Sequence, residues 1–121
     1  MLQQISAAVG FFLCLIRDKH VYRKDQMDHF RDRLSNKLLE KFRNHWYPNN
    51  PIKGNAYRCI RISRSSKREP LLEDCCAACG INYNEFLRRL PPEFTIWIDP
   101  NEVSYRLGEK RNPTTLVSFN V

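Results

Sequence analysis

The hydrophobic patterning along the chain predicts an α+β fold: an N-terminal pair of antiparallel helices packed with a small, mostly antiparallel sheet and two short helices. Three observations predict it. Apolar residues recur at helical spacing through the first 46 positions, strand-like runs dominate after residue 93, and turn-forming segments rich in Pro, Asn, Gly and Ser punctuate the chain. The chain has 121 residues, 42% of them hydrophobic and 27% charged, which is the size and composition of a single folding unit. It leaves no room for a second core.

The run Ile5 to Ile16 is apolar nearly all round and predicts a deeply buried helix over about residues 3 to 16. No Lys or Arg precedes it, and Arg17 and Asp18 follow where the small residues of a cleavage site would lie. Its 12 residues also fall short of the roughly 20 that span a bilayer. A core helix is therefore expected, with no membrane attachment. The second helix should begin near Asp25 as its cap and carry Met27, Phe30, Leu34, Leu38, Phe42 and Trp46 as one inward stripe. The face opposite holds Lys24, Arg31, Arg33, Lys37, Lys41 and Arg43 beside Asp28, Asp32 and Glu40, a solvated surface with weak local ion pairs. Pro48 is expected to end this helix, because proline disfavours helical geometry in the residue before it.

Residues 48–55 are a loop on composition. Tyr57 to Ile62 mixes β-branched, aromatic and basic residues in partial alternation and reads as a strand, with Tyr57, Cys59 and Arg61 opposite Arg58, Ile60 and Ile62. A basic loop runs from Ser63 to Pro70. A short helix from Leu71 to Cys79 should close at Gly80, and another should start near Asn84, with Phe86, Leu87 and Leu90 on one side, until Pro91-Pro92 stops it. Phe94 to Ile98 is the strongest strand run. The turn Asp99 to Glu102 then leads to strands at Val103 to Leu107 and Thr114 to Phe119.

Five cysteines cannot all pair, which favours a reduced, intracellular chain. Cys76-Ala77-Ala78-Cys79 has the spacing of half a zinc or redox site, but Cys14, Cys59, His20, His29 and His45 supply no second short-spaced pair. Cys75, Cys76 and Cys79 are therefore expected to pack in the core, with no bound metal and no cofactor. Nor is there a G-x-S-x-G, an H-E-x-x-H or a phosphate-cradling glycine loop. Asp99, Glu102 and Glu109 are possible carboxylate partners, yet Asp99-Pro100 sits where a hairpin turn is expected, and His45 beside Trp46 reads as a helix-end residue. An enzyme is not expected.

The net charge of +7 admits nucleic acid, an anionic membrane or an acidic protein as partner. Lys53, Arg58, Arg61, Arg64, Lys67 and Arg68 lie near Tyr57, combining phosphate-binding charge with a ring that can stack on a base. A nucleic-acid-binding or transcriptional cofactor module is thus an alternative reading. It lacks a recognition helix, an RNP-like strand or a zinc finger.

The most specific strings are the segments 42–62, reading FRNHWYPNNPIKGNAYRCIRI, and 90–109, reading LPPEFTIWIDPNEVSYRLGE. Their order and spacing resemble boxes A and B of the BTG/Tob antiproliferative family, and the N-terminal helices extend the resemblance over a single domain of residues 1–121. Asn101 and the pair Asn49-Asn50 depart from that family's pattern. The resemblance implies a non-catalytic adaptor that binds the catalytic subunit of the Ccr–Not deadenylase complex, a DEDD-type exonuclease, and so promotes poly(A) shortening and restrains proliferation. It also implies Tyr57, Trp97 and Asp99 as the main contacts, with Trp46, Tyr47, Pro48 and Glu93 as secondary ones. Transcription factors are a further implied partner class. Lys110 to Val121 lacks the additional box through which some members engage poly(A)-binding protein, so the resemblance implies that contact only weakly. A monomer working in cytoplasm and nucleus is the expectation. Alternation along Phe94 to Ile98 places Thr95, Trp97 and Asp99 on one face, and a face carrying Thr and Asp is expected to be exposed.

Overall fold

The computed structural model describes residues 1–18 and 20–120. Two helices open the chain, α1 (Leu2–Ile16) and α2 (Lys24–Phe42), followed by strand β1 (Cys59–Ile62) and two short helices, α3 (Pro70–Ala78) and α4 (Tyr83–Leu87). Strands β2 (Phe94–Ile98), β3 (Glu102–Arg106) and β4 (Thr114–Ser118) complete it. The four strands lie in the order β1-β2-β3-β4 and every pairing is antiparallel. Helices on one face of an antiparallel meander make this an α+β fold, as the patterning predicts.

One phenylalanine joins the layers. Phe12 of α1 lies 6.2 Å from Phe30 of α2, 5.9 Å from Phe86 of α4 and 5.9 Å from Phe94 of β2, ring centre to ring centre. Aromatic pairs at such separations add about 0.5–1.5 kcal/mol beyond their area burial. Around them Ile5, Val9 and Ile16 of α1, Leu34 and Leu38 of α2, and Ile60, Ile96, Ile98 and Val103 of the sheet are all buried. The apolar run of α1 is thus explained by what it touches, since it packs on α2, β2 and β3 together. Within the described residues no helix is long and apolar enough to cross a membrane.

The helix ends follow local chemistry, with corrections to the sequence reading. α2 begins before Asp25, because the Arg23 backbone N–H donates to the Gln26 side chain at 3.0 Å and sets the first turn. α2 also stops at Phe42, short of Trp46 and Pro48. The His45 carbonyl, which a continuing helix would offer to residue 49, instead accepts from Arg58 at 2.8 Å. Trp46 therefore leaves the helical stripe and lies half-buried against Phe42. α3 starts on Pro70, capped by the Glu69 carboxylate accepting from the Leu71 N–H at 3.2 Å. It ends where Gly80 adopts a φ of +70° and the Ile81 N–H returns to the Cys76 carbonyl at 2.8 Å. Asn82 caps α4 by accepting from the Glu85 N–H, one position earlier than expected.

Cys75, Cys76 and Cys79 pack inward from α3, the first two fully buried, and all five cysteines are unpaired. Burial pushes the Cys75 and Cys76 thiols up to about 12, so neither is a thiolate at neutral pH and both serve as small apolar core groups. Cys14, by contrast, is exposed. Native protein treated with N-ethylmaleimide near pH 7 should gain its first adduct at Cys14, with Cys75 and Cys76 modified only after denaturant is added. Peptide mapping by mass spectrometry checks the order, and early labelling of Cys75 or Cys76 would show that α3 opens readily.

Candidate functional site

Residues 43–58 contain no regular structure, and a single side chain organises them. Arg58 is fully buried with its guanidinium bonded on every side. Nε donates to the Ile98 carbonyl at 2.9 Å, Nη1 to the carbonyls of His45 at 2.8 Å and Lys53 at 2.7 Å, and Nη2 to the Pro51 carbonyl and Asp99 Oδ1, both at 2.8 Å. Arginine has five N–H donors, and all five are used. Its face also lies 5.6 Å from the Trp46 ring centre. A charge this deep is tolerable only when paired and fully hydrogen-bonded, and here it is both.

This arrangement corrects one reading. Arg58 cannot serve as a phosphate-binding residue, because its donors face protein carbonyls rather than solvent. Alternation had placed it beside Ile60 and Ile62, and a cation sharing an apolar face was the signal that pointed to this role. Gly54 belongs to the same arrangement: its φ is +76°, and a Cβ there would come within 3.2 Å of Arg58 Nη1. Asp99 is the anionic arm. Burial raises its carboxyl above the ordinary aspartate value, against the opposing pull of Arg58. It also closes the β2–β3 turn, with its N–H donating to the Glu102 carbonyl at 2.9 Å.

The implied contacts fall into two groups. Cys59 pairs with Trp97 across β1 and β2, so Trp97, Asp99 and the segment ending at Tyr57 share one end of that strand pair. Tyr57 is 45% exposed, its ring 4.1 Å from that of His45 and 4.9 Å from Lys41 Nζ. Tyr47 lies in the same irregular loop with Lys53 Nζ 4.4 Å over its ring, and Pro48 beside it is exposed. Glu93 stands apart. It precedes the far end of β2, four residues or about 13 Å of strand from Trp97, and takes Arg64 Nε at 3.1 Å and the Glu109 N–H at 3.2 Å.

The outer face of the sheet is less open than its composition implies. Thr95 is only 2% exposed. Arg61 and Arg106 are its partners on the neighbouring strands, and both bond Glu109, at 2.6 Å and 2.8 Å. Trp97 is half-buried on this face, with the Arg106 guanidinium 5.3 Å from its ring centre. The ring is neither a core residue nor a free one. Among the remaining basic residues, Arg68 forks onto Glu73 at 3.0 and 2.6 Å and Arg64 holds Glu93, while Lys67 makes no ion pair among the described residues. Of the three carboxylates singled out by sequence, Asp99 is held by Arg58, Glu102 accepts from Thr115 Oγ1 at 3.1 Å, and Glu109 takes Arg61 and Arg106.

A family model described as the BTG family matches residues 1–117. The chain belongs to the BTG family. It is 40% identical over 119 residues to the Maternal B9.10 protein of Xenopus laevis, an alignment that covers 98% of this chain and 49% of that protein. It is equally similar to Protein BTG3 of Homo sapiens, again 40% over 119 residues, covering 98% and 46%. The chain therefore spans about half the length of these relatives. Among solved structures, the BTG/Tob domain of C. elegans FOG-3 superimposes with a TM-score of 0.83, covering 99% of this chain and 84% of that one at 23% identity. That likeness shows that the fold is the BTG/Tob fold. In this BTG family member, segments 42–62 and 90–109 are one physical unit, because Arg58 in the first holds Ile98 and Asp99 in the second.

Replacing Arg58 tests that unit. Lysine has three donors for five acceptors, so Arg58→Lys leaves at least two buried oxygens unpaired and should lower the unfolding free energy by about 2–5 kcal/mol. Urea denaturation followed by circular dichroism reads the loss. An unchanged midpoint would mean that the loop holds itself.

Proposed function

We propose that this chain is a non-catalytic adaptor that binds the catalytic subunit of the Ccr–Not deadenylase complex, promotes poly(A) shortening and thereby restrains proliferation. Membership of the BTG family supports an antiproliferative regulatory role. The observation that carries the finer reading is the accessible end of the β1–β2 pair, where Tyr57, Trp97 and Asp99 sit on a frame fixed by Arg58. Each suits an interface. Trp and Tyr offer large apolar area with a polar handle, and both are enriched among residues that dominate binding energy. Asp99 supplies a carboxylate beside them that fixes register against a donor on the partner.

Trp97 is the anchor of this surface. Its ring is half-buried before any partner arrives, and the Arg106 guanidinium over it restrains its rotation. Less side-chain freedom is then lost on binding, which raises affinity without adding contacts. The partner is a magnesium-dependent exonuclease subunit, and the chemistry of poly(A) cleavage belongs to it. This chain contributes position. It acts in cytoplasm and nucleus, wherever that subunit is found.

Trp97→Ala should weaken capture of the purified deadenylase subunit by about 2 kcal/mol or more, roughly thirtyfold, while cooperative thermal unfolding is retained. Titration calorimetry beside a circular-dichroism melt separates the two effects. Full-strength capture by the folded variant would move the interface elsewhere, and loss of folding would place Trp97 in the core. Bare oligo(A) should show no affinity at low salt that falls with added salt, the behaviour direct nucleic-acid binding requires.

A further inference from the structure

A second recessed surface lies at the other end of β1. A groove of about 480 Å³ opens between Ile62, the basic loop after it, α4 and the Pro91-Pro92 segment. This is within the range of roughly 300–1,000 Å³ typical of ligand-holding clefts. Ile62, Leu87 and Leu90 give it an apolar lining, and the two prolines wall one side. Its charges are of one sign. Arg64, Lys67 and Arg88 stand around it, and among the described residues no carboxylate lines it. Lys67 and Arg88 make no ion pair among the described residues, and the Arg64 pair with Glu93 is a surface one, 75% exposed on the arginine side, that yields at little cost.

The loop that presents these cations is already in place. Ser63 and Ser66 exchange backbone hydrogen bonds at 3.0 and 3.2 Å, and the Ser66 N–H also donates to Ser63 Oγ at 3.1 Å. Further along, the Tyr83 hydroxyl of α4 donates to the Lys67 carbonyl at 2.8 Å and accepts from the Glu69 N–H at 3.0 Å. One phenol thus ties the loop to the helix that forms the opposite wall. A groove held this way is preorganised, and an incoming chain does not have to order it.

We propose that this groove binds an extended acidic peptide segment with apolar anchors, carried by a protein partner. The apolar lining takes aliphatic or aromatic side chains, the three cations take the flanking carboxylates, and Asn84 on the rim offers both a donor and an acceptor to the peptide main chain. Charge complementarity excludes a basic partner. The absence of any aromatic ring from the lining argues against a nucleic acid, whose bases need stacking platforms. The groove and the Trp97 surface lie at opposite ends of β1, about 10 Å of strand apart. This inference stands independently of the identity of the partner at Trp97.

Panning the full chain against a displayed random dodecapeptide library tests it. The expected winners combine Asp or Glu with Leu, Ile or Phe. A fluorescein-labelled winner should bind with an affinity that falls with salt, and Lys67→Glu with Arg88→Glu should weaken it by at least about tenfold. Both side chains are exposed, and the double alanine variant, expected to weaken binding in the same direction, replaces the reversal if the latter melts early. Trp97→Ala should leave peptide binding unchanged. No enrichment, enrichment of neutral or basic sequences, indifference to both double variants, or loss through Trp97→Ala would each overturn the proposal. So would labelled oligo(U) or oligo(A) binding through Lys67 and Arg88 more tightly than the peptide, which would assign the groove to nucleic acid.

Discussion

The buried guanidinium of Arg58 is the constraint on which the functional end of this domain depends. Between α2 and β1 the chain makes a series of tight turns whose carbonyls cannot all satisfy one another, and several point inward. Buried carbonyls without donors cost of order 1–3 kcal/mol each, so such a loop would not hold its shape unaided. Arg58 supplies donors to three of them, from His45, Pro51 and Lys53, and to a fourth at Ile98 in β2. Asp99 then balances the charge. A methionine of similar volume would fill the same space and leave every one of those oxygens bare. The positive φ of Gly54 and the lack of room for a Cβ there, which would lie 3.2 Å from Arg58 Nη1, follow from the same demand, since the loop must close tightly around a planar fork.

A second network settles the outer face of the sheet. Glu109 takes Arg61 with one oxygen and Arg106 with the other, and its own N–H donates to Glu93, which holds Arg64. Exposed ion pairs are individually weak, but a connected set with short forks is more than a scatter of them. Here it does something packing cannot do, because it covers Thr95 while leaving the Trp97 ring partly open. Arg106 stacks over that ring, and a cation against an indole face contributes about 0.5–1 kcal/mol at an exposed site. The indole is therefore steadied from one side and available from the other.

Local pattern made most of this fold legible. The run Phe94 to Ile98 is β2 residue for residue, and α1 fills its expected span, because both are dictated by apolar periodicity that tertiary contacts only reinforce. The reading failed where a distant group competes for a backbone atom. Nothing near Trp46 in sequence says that the His45 carbonyl is taken by a residue 13 positions on, so the apolar stripe overstates the length of α2. Thr95 failed for a related reason, since the arginines beside it come from other strands and their shared carboxylate from a loop. Arg58 is legible only in part: alternation groups it with Ile60 and Ile62 without deciding which face is buried, and its charge suggests solvent. Of the candidate site, Tyr57, Trp97 and Asp99 are proposed from the family resemblance of their strings, whereas the bonds around them are legible only in the structure.

The net positive charge takes on a different meaning beside the proposed partners. Some of the basic residues are neutralised locally, Arg33 by Asp74, Arg89 by Asp18 and Arg68 by Glu73, and pairs of that kind project little field, so the net charge resides on the cations left over. Cations without carboxylate partners among the described residues include Lys41 and Lys53, which lie over the rings of Tyr57 and Tyr47, and Lys67 and Arg88, which line the groove. Positive potential is therefore placed at both ends of β1. Unpaired charges at the edge of an apolar patch act chiefly on encounter rates and on the choice of partner, and contribute less to final affinity. In the proposed assignment both surfaces favour acidic groups on what they bind. A rigid four-residue strand between them means that binding at one end need not deform the other, the geometry that the proposed adaptor role requires.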